Sequence, residues 1–159
     1  MKTLVVYDSY FGNTEKIAQA IGNALGAPPD VAVRRVGDVQ PGQLVGLEVL
    51  VVGSPTQKFS LLPAVSSFLK SIPENGLQGV RVAAFDTRAN MDEVRSSFLR
   101  TMVRWFGYAA EKIAGRLKKK GGTEAAPPGT FFVKGTEGPL AEGELERAAE
   151  WARQLVRTG

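Results

Sequence analysis

Short hydrophobic runs alternate with segments of helical period along the whole chain. LVVY at 4–7 is a run rich in β-branched residues, of the kind buried on both faces of a sheet. Between 13 and 25, Ile17, Ala18, Ile21, Ala24 and Leu25 share one helical face, and Gly26 is a natural stop. VAVRRV at 31–36 predicts a second strand, half polar and so nearer a sheet edge. EVLVVG at 48–53 predicts a third, central one. Pro63 then opens a helix with Val65, Phe68, Leu69 and Ile72 on one face, and Pro73 closes it. VRVAAFD at 80–86 reads as a fourth strand, followed by a partly helical stretch to Lys120. TFFV at 130–133 is a fifth strand, and Leu145, Ala148, Ala149, Ala152 and Leu155 form the inner face of a last helix. The segments 37–46 and 120–129, rich in Gly and Pro, read as loops.

This alternation predicts an α/β fold, a parallel sheet with helices on both faces. Right-handed crossovers leave few topologies for it. No repeat or linker interrupts the pattern, so the 159 residues are expected to form a single domain, 1–159. Ligands of open parallel sheets bind beyond the carboxyl ends of strands, where strand order reverses. The loops after strands one, three and four are therefore where chemistry is expected.

Composition narrows that chemistry. There is no Cys and no His, which removes disulfides, thiolate and His metal sites, Cys nucleophiles and His-based triads. Redox work by this chain would need a bound organic cofactor. The net charge is +4, and the excess is uneven. Nine basic residues lie between Arg88 and Lys120, against Asp92, Glu93 and Glu111. Such a stretch suits nucleic acid, an anionic membrane or an acidic protein as partner, or simply a solvated helix face. The N-terminal residues read as a first strand, not a targeting signal, and no apolar run is long enough to span a bilayer. A cytoplasmic location is the expectation.

The first loop, Ser9-Tyr10-Phe11-Gly12-Asn13-Thr14, leads into a helix and offers two hydroxyls, a carboxamide and a glycine where backbone N–H groups converge. A phosphate can be held there without Lys or Arg; the plainer reading is that Asn13 or Thr14 only caps the helix. Other phosphate loops are excluded. G-x-G-x-x-G is absent, and the Gly37 and Gly42 pair is followed by Gln43-Leu44 where a phosphate-binding Lys and hydroxyl residue are required. The second loop, Gly53 to Phe59, can make a tight turn against a flat ring. The third, Asp86 to Asn90, offers polar groups to a heterocycle's edge.

VVYDSYFGNTEKIAQAI at 5–21 resembles the FMN-phosphate signature of the flavodoxin family, with Tyr7, Ser9, Gly12, Thr14, Ala18 and Ile21 at the family's spacing. GSPT after the third strand is similar to that family's first ring-binding loop. The resemblance implies a doubly wound five-stranded parallel sheet of order 2-1-3-4-5; that order, with FMN at its switch point, is the known arrangement of flavodoxins. It also implies FMN as cofactor and electron transfer between redox partners as function. Ser9, Asn13 and Thr14, with the N–H groups of Tyr10, Phe11, Gly12, Asn13 and Thr14, would hold the phosphate. Ser54, Pro55, Thr56, Gln57, Lys58 and Phe59 would line one side of the isoalloxazine, and Thr87 and Arg88 would approach its pyrimidine edge. No insertion interrupts the fifth strand, which resembles the short-chain type.

Two departures bear on the partner. Flavodoxins are usually acidic, whereas this chain has a pI near 9.5. The second loop has only Phe59 where many flavodoxins place a stacking Trp or Tyr; Trp105, Phe106 and Tyr108 are alternative stackers or, more simply, helix core. The partner expected is an acidic redox protein, or else a quinone or nicotinamide. An NAD(P)H- or quinone-linked FMN reductase on the same scaffold is the alternative function. A receiver domain is disfavoured because Gly53-Ser54 stands where its phospho-accepting Asp belongs, and nucleic-acid binding lacks aromatic stacking platforms. Lys58 and Arg88 beside the ring would stabilise the anion of reduced FMN and draw its two one-electron steps together.

Overall fold

The computed structural model describes residues 1–56, 60–89, 108–135 and 137–156. The elements in chain order are β1 (Thr3–Tyr7), α1 (Asn13–Leu25), β2 (Val31–Arg35), β3 (Val49–Pro55), α2 (Pro63–Ser71), β4 (Arg81–Ala89), α3 (Ala109–Lys119), β5 (Thr123–Glu124), β6 (Gly129–Val133) and α4 (Glu144–Gln154). These strands pair in parallel, in the order β2-β1-β3-β4, with β5 and β6 both paired to β4. The fifth position is thus filled in two pieces. β5, inside the segment expected to be loop, pairs with Arg81 and Val82, and β6 pairs with Phe85 to Ala89. Pro127 and Pro128 lie between them and cannot donate to a ladder.

Alternation along the strands sorts the core into two layers. Leu4, Val6, Leu50, Val52, Val82 and Ala84 pack against α2 and α3 through Val65, Leu69, Ile113 and Leu117. Val5, Tyr7, Val51, Ala83 and Phe85 pack on the other face against α1 and α4, through Ile17, Ile21, Ala148, Ala152 and Leu155. Each fully buried large side chain contributes roughly 1.5–3 kcal/mol. Gly22 lets α1 close on β2, since a Cβ there would lie 2.4 Å from the Val33 methyl.

Two strands run further than the sequence pattern indicates. β3 continues through Ser54 and Pro55, and β4 through Thr87, Arg88 and Ala89, because β4 and β6 supply backbone partners there. Gly53, expected to serve a tight turn, is instead a strand residue. Its missing Cβ makes room for Phe85, whose ring would lie 2.0 Å away. The inner face of α4 also differs from expectation: Leu145 is 44% exposed and Ala149 half-buried. Glu144 is buried in their stead. Its carboxylate accepts the Phe132 N–H on the outer edge of β6 (2.7 Å) and an Arg147 N–H (2.5 Å), which turns the helix to that face and closes the edge.

Candidate functional site

At the carboxyl ends of the strands, four segments enclose a cavity of about 200 Å³. Ser9, Tyr10, Phe11, Asn13 and Thr14 line it from the β1–α1 connection, Pro55 and Thr56 from the end of β3, Thr87, Arg88 and Ala89 from β4, and Val133 and Gly135 from the end of β6. It lies beside the reversal of strand order between β1 and β3, where open sheets of this kind bind ligands.

The β1–α1 connection is shaped by its own polar groups. Ser9 Oγ accepts the Gly12 N–H (2.9 Å), and Asp8 Oδ1 accepts the Ser9 N–H (2.9 Å). Arg35 stands opposite Tyr7 in register, so it reaches across the strand ends to donate to Asp8 Oδ1 (2.7 Å) and Ser9 O (3.1 Å). Gly12 is left-handed at φ 87°, which a side chain rarely adopts, and turns the chain into α1 with no side-chain cap. Neither Asn13 nor Thr14 caps the helix. The bond from Lys16 N–H to Gly12 O (3.1 Å) is an early intrahelical one, so the N–H groups of Asn13, Thr14 and Glu15 lie ahead of it without intrahelical acceptors. Tyr10 and Phe11 stand 61% and 49% exposed at the rim, their rings edge to face at 6.3 Å. Behind the loop, the Tyr7 hydroxyl donates to Glu15 Oε1 (2.8 Å); burial first, then Glu15, raises the phenol's pKa.

Asn13 and Thr14 each reach another segment. Asn13 Nδ2 donates to Glu137 O (2.8 Å), and Gly138 packs so closely that a Cβ there would lie 2.5 Å from Asn13 Nδ2. Thr14 Oγ1 lies 2.7 Å from Thr87 Oγ1, and both residues are buried. Ser54 turns away from the cavity; its hydroxyl accepts the Leu62 N–H (3.0 Å) and donates to Pro55 O (2.8 Å), fixing the connection to α2. Gln57, Lys58 and Phe59 lie outside the described residues, as do Trp105 and Phe106.

The opposite wall is a closed polar cluster. Asp86, fully buried, accepts from Thr56 Oγ1 (3.0 Å), the Ala110 N–H at the start of α3 (3.2 Å) and Arg88 Nε (3.1 Å). Arg88 Nη2 lies 3.1 Å from Asp86 Oδ2 and also donates to Thr130 Oγ1. The guanidinium carbon sits 3.2 Å from the centroid of the Tyr108 ring. Tyr108 therefore stacks on Arg88, where a place in the helix core was expected. Burial pushes the Asp86 carboxyl above its ordinary pKa; Arg88 first, then the Ala110 N–H and the Thr56 hydroxyl, offsets part of that. Arg88 accordingly faces the cavity as half of an ion pair, its charge offset by the neighbouring Asp86.

The basic stretch is likewise redistributed. Arg95, Arg100 and Arg104 lie outside the described residues. α3 starts beside the Asp86 carboxylate and runs away from the cavity, so Lys118, Lys119 and Lys120 sit at the far end of the sheet, roughly 15 Å off along the helix. There Lys120 donates to Ile72 O (2.6 Å) and Lys118 lies 3.5 Å from Glu124.

Sequence reading passed over Arg35, Val133, Gly135 and the loop after β6. The end of β6 shares the sheet edge that carries the site, so its loop belonged with the other three. The glycines of KGTEGPL at 134–140 were the available signal.

The flavodoxin family model matches residues 5–151. Among solved structures, a flavodoxin from the domain Archaea is 27% identical with a TM-score of 0.72, over 98% of this chain and 96% of that one. Oxidised flavodoxin 2 from Bacillus cereus is 22% identical with a TM-score of 0.75, over 98% and 97%. Rubredoxin oxygen:oxidoreductase from Desulfovibrio gigas, 22% identical with a TM-score of 0.71, matches 97% of this chain with 35% of its own. Comparison with curated protein sequences returned no match. With a parallel sheet of order 2-1-3-4-5 beneath it, a family match over residues 5–151 makes this chain a member of the flavodoxin family.

Proposed function

We propose that the chain acts as one domain that binds a single FMN non-covalently and passes electrons through it. The observation that carries the reading is the first turn of α1, whose N–H groups lack intrahelical acceptors beside a cavity lined by Ser9, Asn13 and Thr14. Such a turn holds a dianion with neutral donors and the helix's partial positive charge. Ser9 and Thr14, with the N–H groups of Tyr10, Phe11, Asn13 and Thr14, fit the phosphate, while the Gly12 N–H is held by Ser9 Oγ. Asn13 fits as the residue that fastens the cradle to the loop after β6. Pro55 and Thr56, continued by Gln57, Lys58 and Phe59, supply one side for the ring, and Arg88 a wall at its edge. Bound FMN supplies the one- and two-electron chemistry that a chain without Cys or His lacks.

Electrons would pass to a protein partner, with a quinone or nicotinamide as the small-molecule alternative. Among the described residues no helix is long and apolar enough to cross a membrane, and a cytoplasmic setting is part of the proposal. The test is reconstitution of the apoprotein with FMN, followed by visible absorbance. Saturable binding of one FMN per chain, with slow NADPH oxidation in the presence of a quinone, is the expected result. Fast turnover would favour the reductase, and no binding would refute the reading.

A further inference from the structure

Thr87 was expected beside Arg88 at the edge of a ring, on the view that both belong to a loop. Because β4 continues through them, alternation sends the two side chains to opposite faces. Asp86 and Arg88 turn toward α3, whereas Phe85 and Thr87 turn toward α1 and α4. Thr87 therefore meets Thr14 at the start of α1.

A threonine hydroxyl carries one hydrogen and two lone pairs. Across the 2.7 Å between Thr14 Oγ1 and Thr87 Oγ1 only one hydrogen can lie. The other hydroxyl's hydrogen has no acceptor among the described residues, although both residues are more than nine-tenths buried and line the cavity. A donor without a protein acceptor at a cavity wall is left for whatever group enters the cavity. Thr14 belongs to the turn whose first N–H groups lack intrahelical acceptors, which favours its hydroxyl as the donor to an anion.

Resting on the FMN reading, we propose that Thr14 and Thr87 form a single donor unit for the cofactor's phosphate. Thr87 donates to Thr14, and this directs the Thr14 hydrogen at a phosphate oxygen. Thr87 is thus a positioning residue for the phosphate and not a contact of the pyrimidine edge. A hydroxyl that accepts one hydrogen bond is polarised to donate a stronger one, so the two side chains are coupled.

The experiment titrates apoprotein of wild type, T87V, T87S, T14V and T14V/T87V with FMN, riboflavin and inorganic phosphate. Flavin fluorescence reads the first two ligands, and ¹H–¹⁵N shifts of residues 10–15 read the third. The expected result is an FMN affinity about fivefold weaker in T87V, with riboflavin unchanged, wild-type behaviour in T87S, and a double variant no worse than T14V. Equal weakening of FMN and riboflavin by T87V would return Thr87 to the ring edge. Additive losses in the double variant, or no loss in T87V, would also overturn the unit. Phosphate binding that weakens in T87V, in a protein that does not take up FMN, would uphold the unit and refute the FMN reading. A protein that binds neither FMN nor phosphate would refute both.

Discussion

The two walls of the cavity are built on opposite principles. On the β1–α1 side the polar groups are held in place but left open: Gly12 turns the chain, Ser9 fixes the turn, and the first N–H groups of α1 lie ahead of the intrahelical bonds. On the β4–α3 side they satisfy one another, with Asp86 taking bonds from Thr56, Ala110 and Arg88, and Tyr108 covering the guanidinium. Open donors need something from outside the chain, whereas the closed cluster sets the shape of the site and its net charge. The same contrast separates the two ion pairs, since Asp8–Arg35 is partly exposed and Asp86–Arg88 buried.

The closed wall should give the largest effect. R88M leaves the Asp86 carboxylate buried without its guanidinium, a loss of about 3–5 kcal/mol wherever Asp86 is ionised. Because the folded pKa of Asp86 is raised, its contribution is fully present below the ordinary carboxylate pKa and is lost as pH rises through the folded value. Denaturation curves should therefore show the R88M deficit growing from acid toward neutral pH. A deficit that is flat with pH would mean that Asp86 does not depend on Arg88.

The open wall comes next. T14V should weaken FMN by about tenfold or more, the worth of one hydrogen bond to an anion, and leave riboflavin nearly unchanged. Equal losses for both ligands would take Thr14 out of the phosphate cradle. R35Q frees the Asp8 carboxylate beside that cradle; since the pair is partly exposed, the loss for FMN should be only about two- to fivefold and should shrink in high salt. A loss insensitive to salt would make Arg35 a purely structural support of the loop.

The smallest effect is expected at the far end of the sheet. The distance along α3 exceeds the Debye length of about 8 Å at physiological ionic strength. Charge reversal at Lys118 and Lys119 should therefore change the rate of electron transfer to an acidic partner by less than about twofold. A large drop would place the docking surface there after all.

How far the site was legible follows from what is local. The apolar runs LVVY and EVLVVG and the α1 face show the layers directly, because each pattern reports the environment of its own segment. The ends of β3 and β4 are not local: Ser54, Pro55, Thr87 and Arg88 look like loop residues and become strand only because β4 and β6 offer them partners. That continuation sends Thr87 and Arg88 to opposite faces, which no reading of a loop could show. The first loop was legible because its function and its sequence coincide, a run of hydroxyls and glycine before a helix. Arg35 was not, since it acts through register with Tyr7 from 28 residues away. Glu144 replaced Leu145 at the buried face for a similar reason: its partner is the Phe132 N–H on another element.

On the proposed function, FMN is held by its phosphate in the open wall. Calorimetric titration of the wild-type apoprotein with FMN and with riboflavin tests it most directly, because the two ligands share the ring and the ribityl chain and differ only in the phosphate. Several bonds to a dianion should make FMN tighter by about a hundredfold or more. Equal affinity for the two ligands would contradict the account.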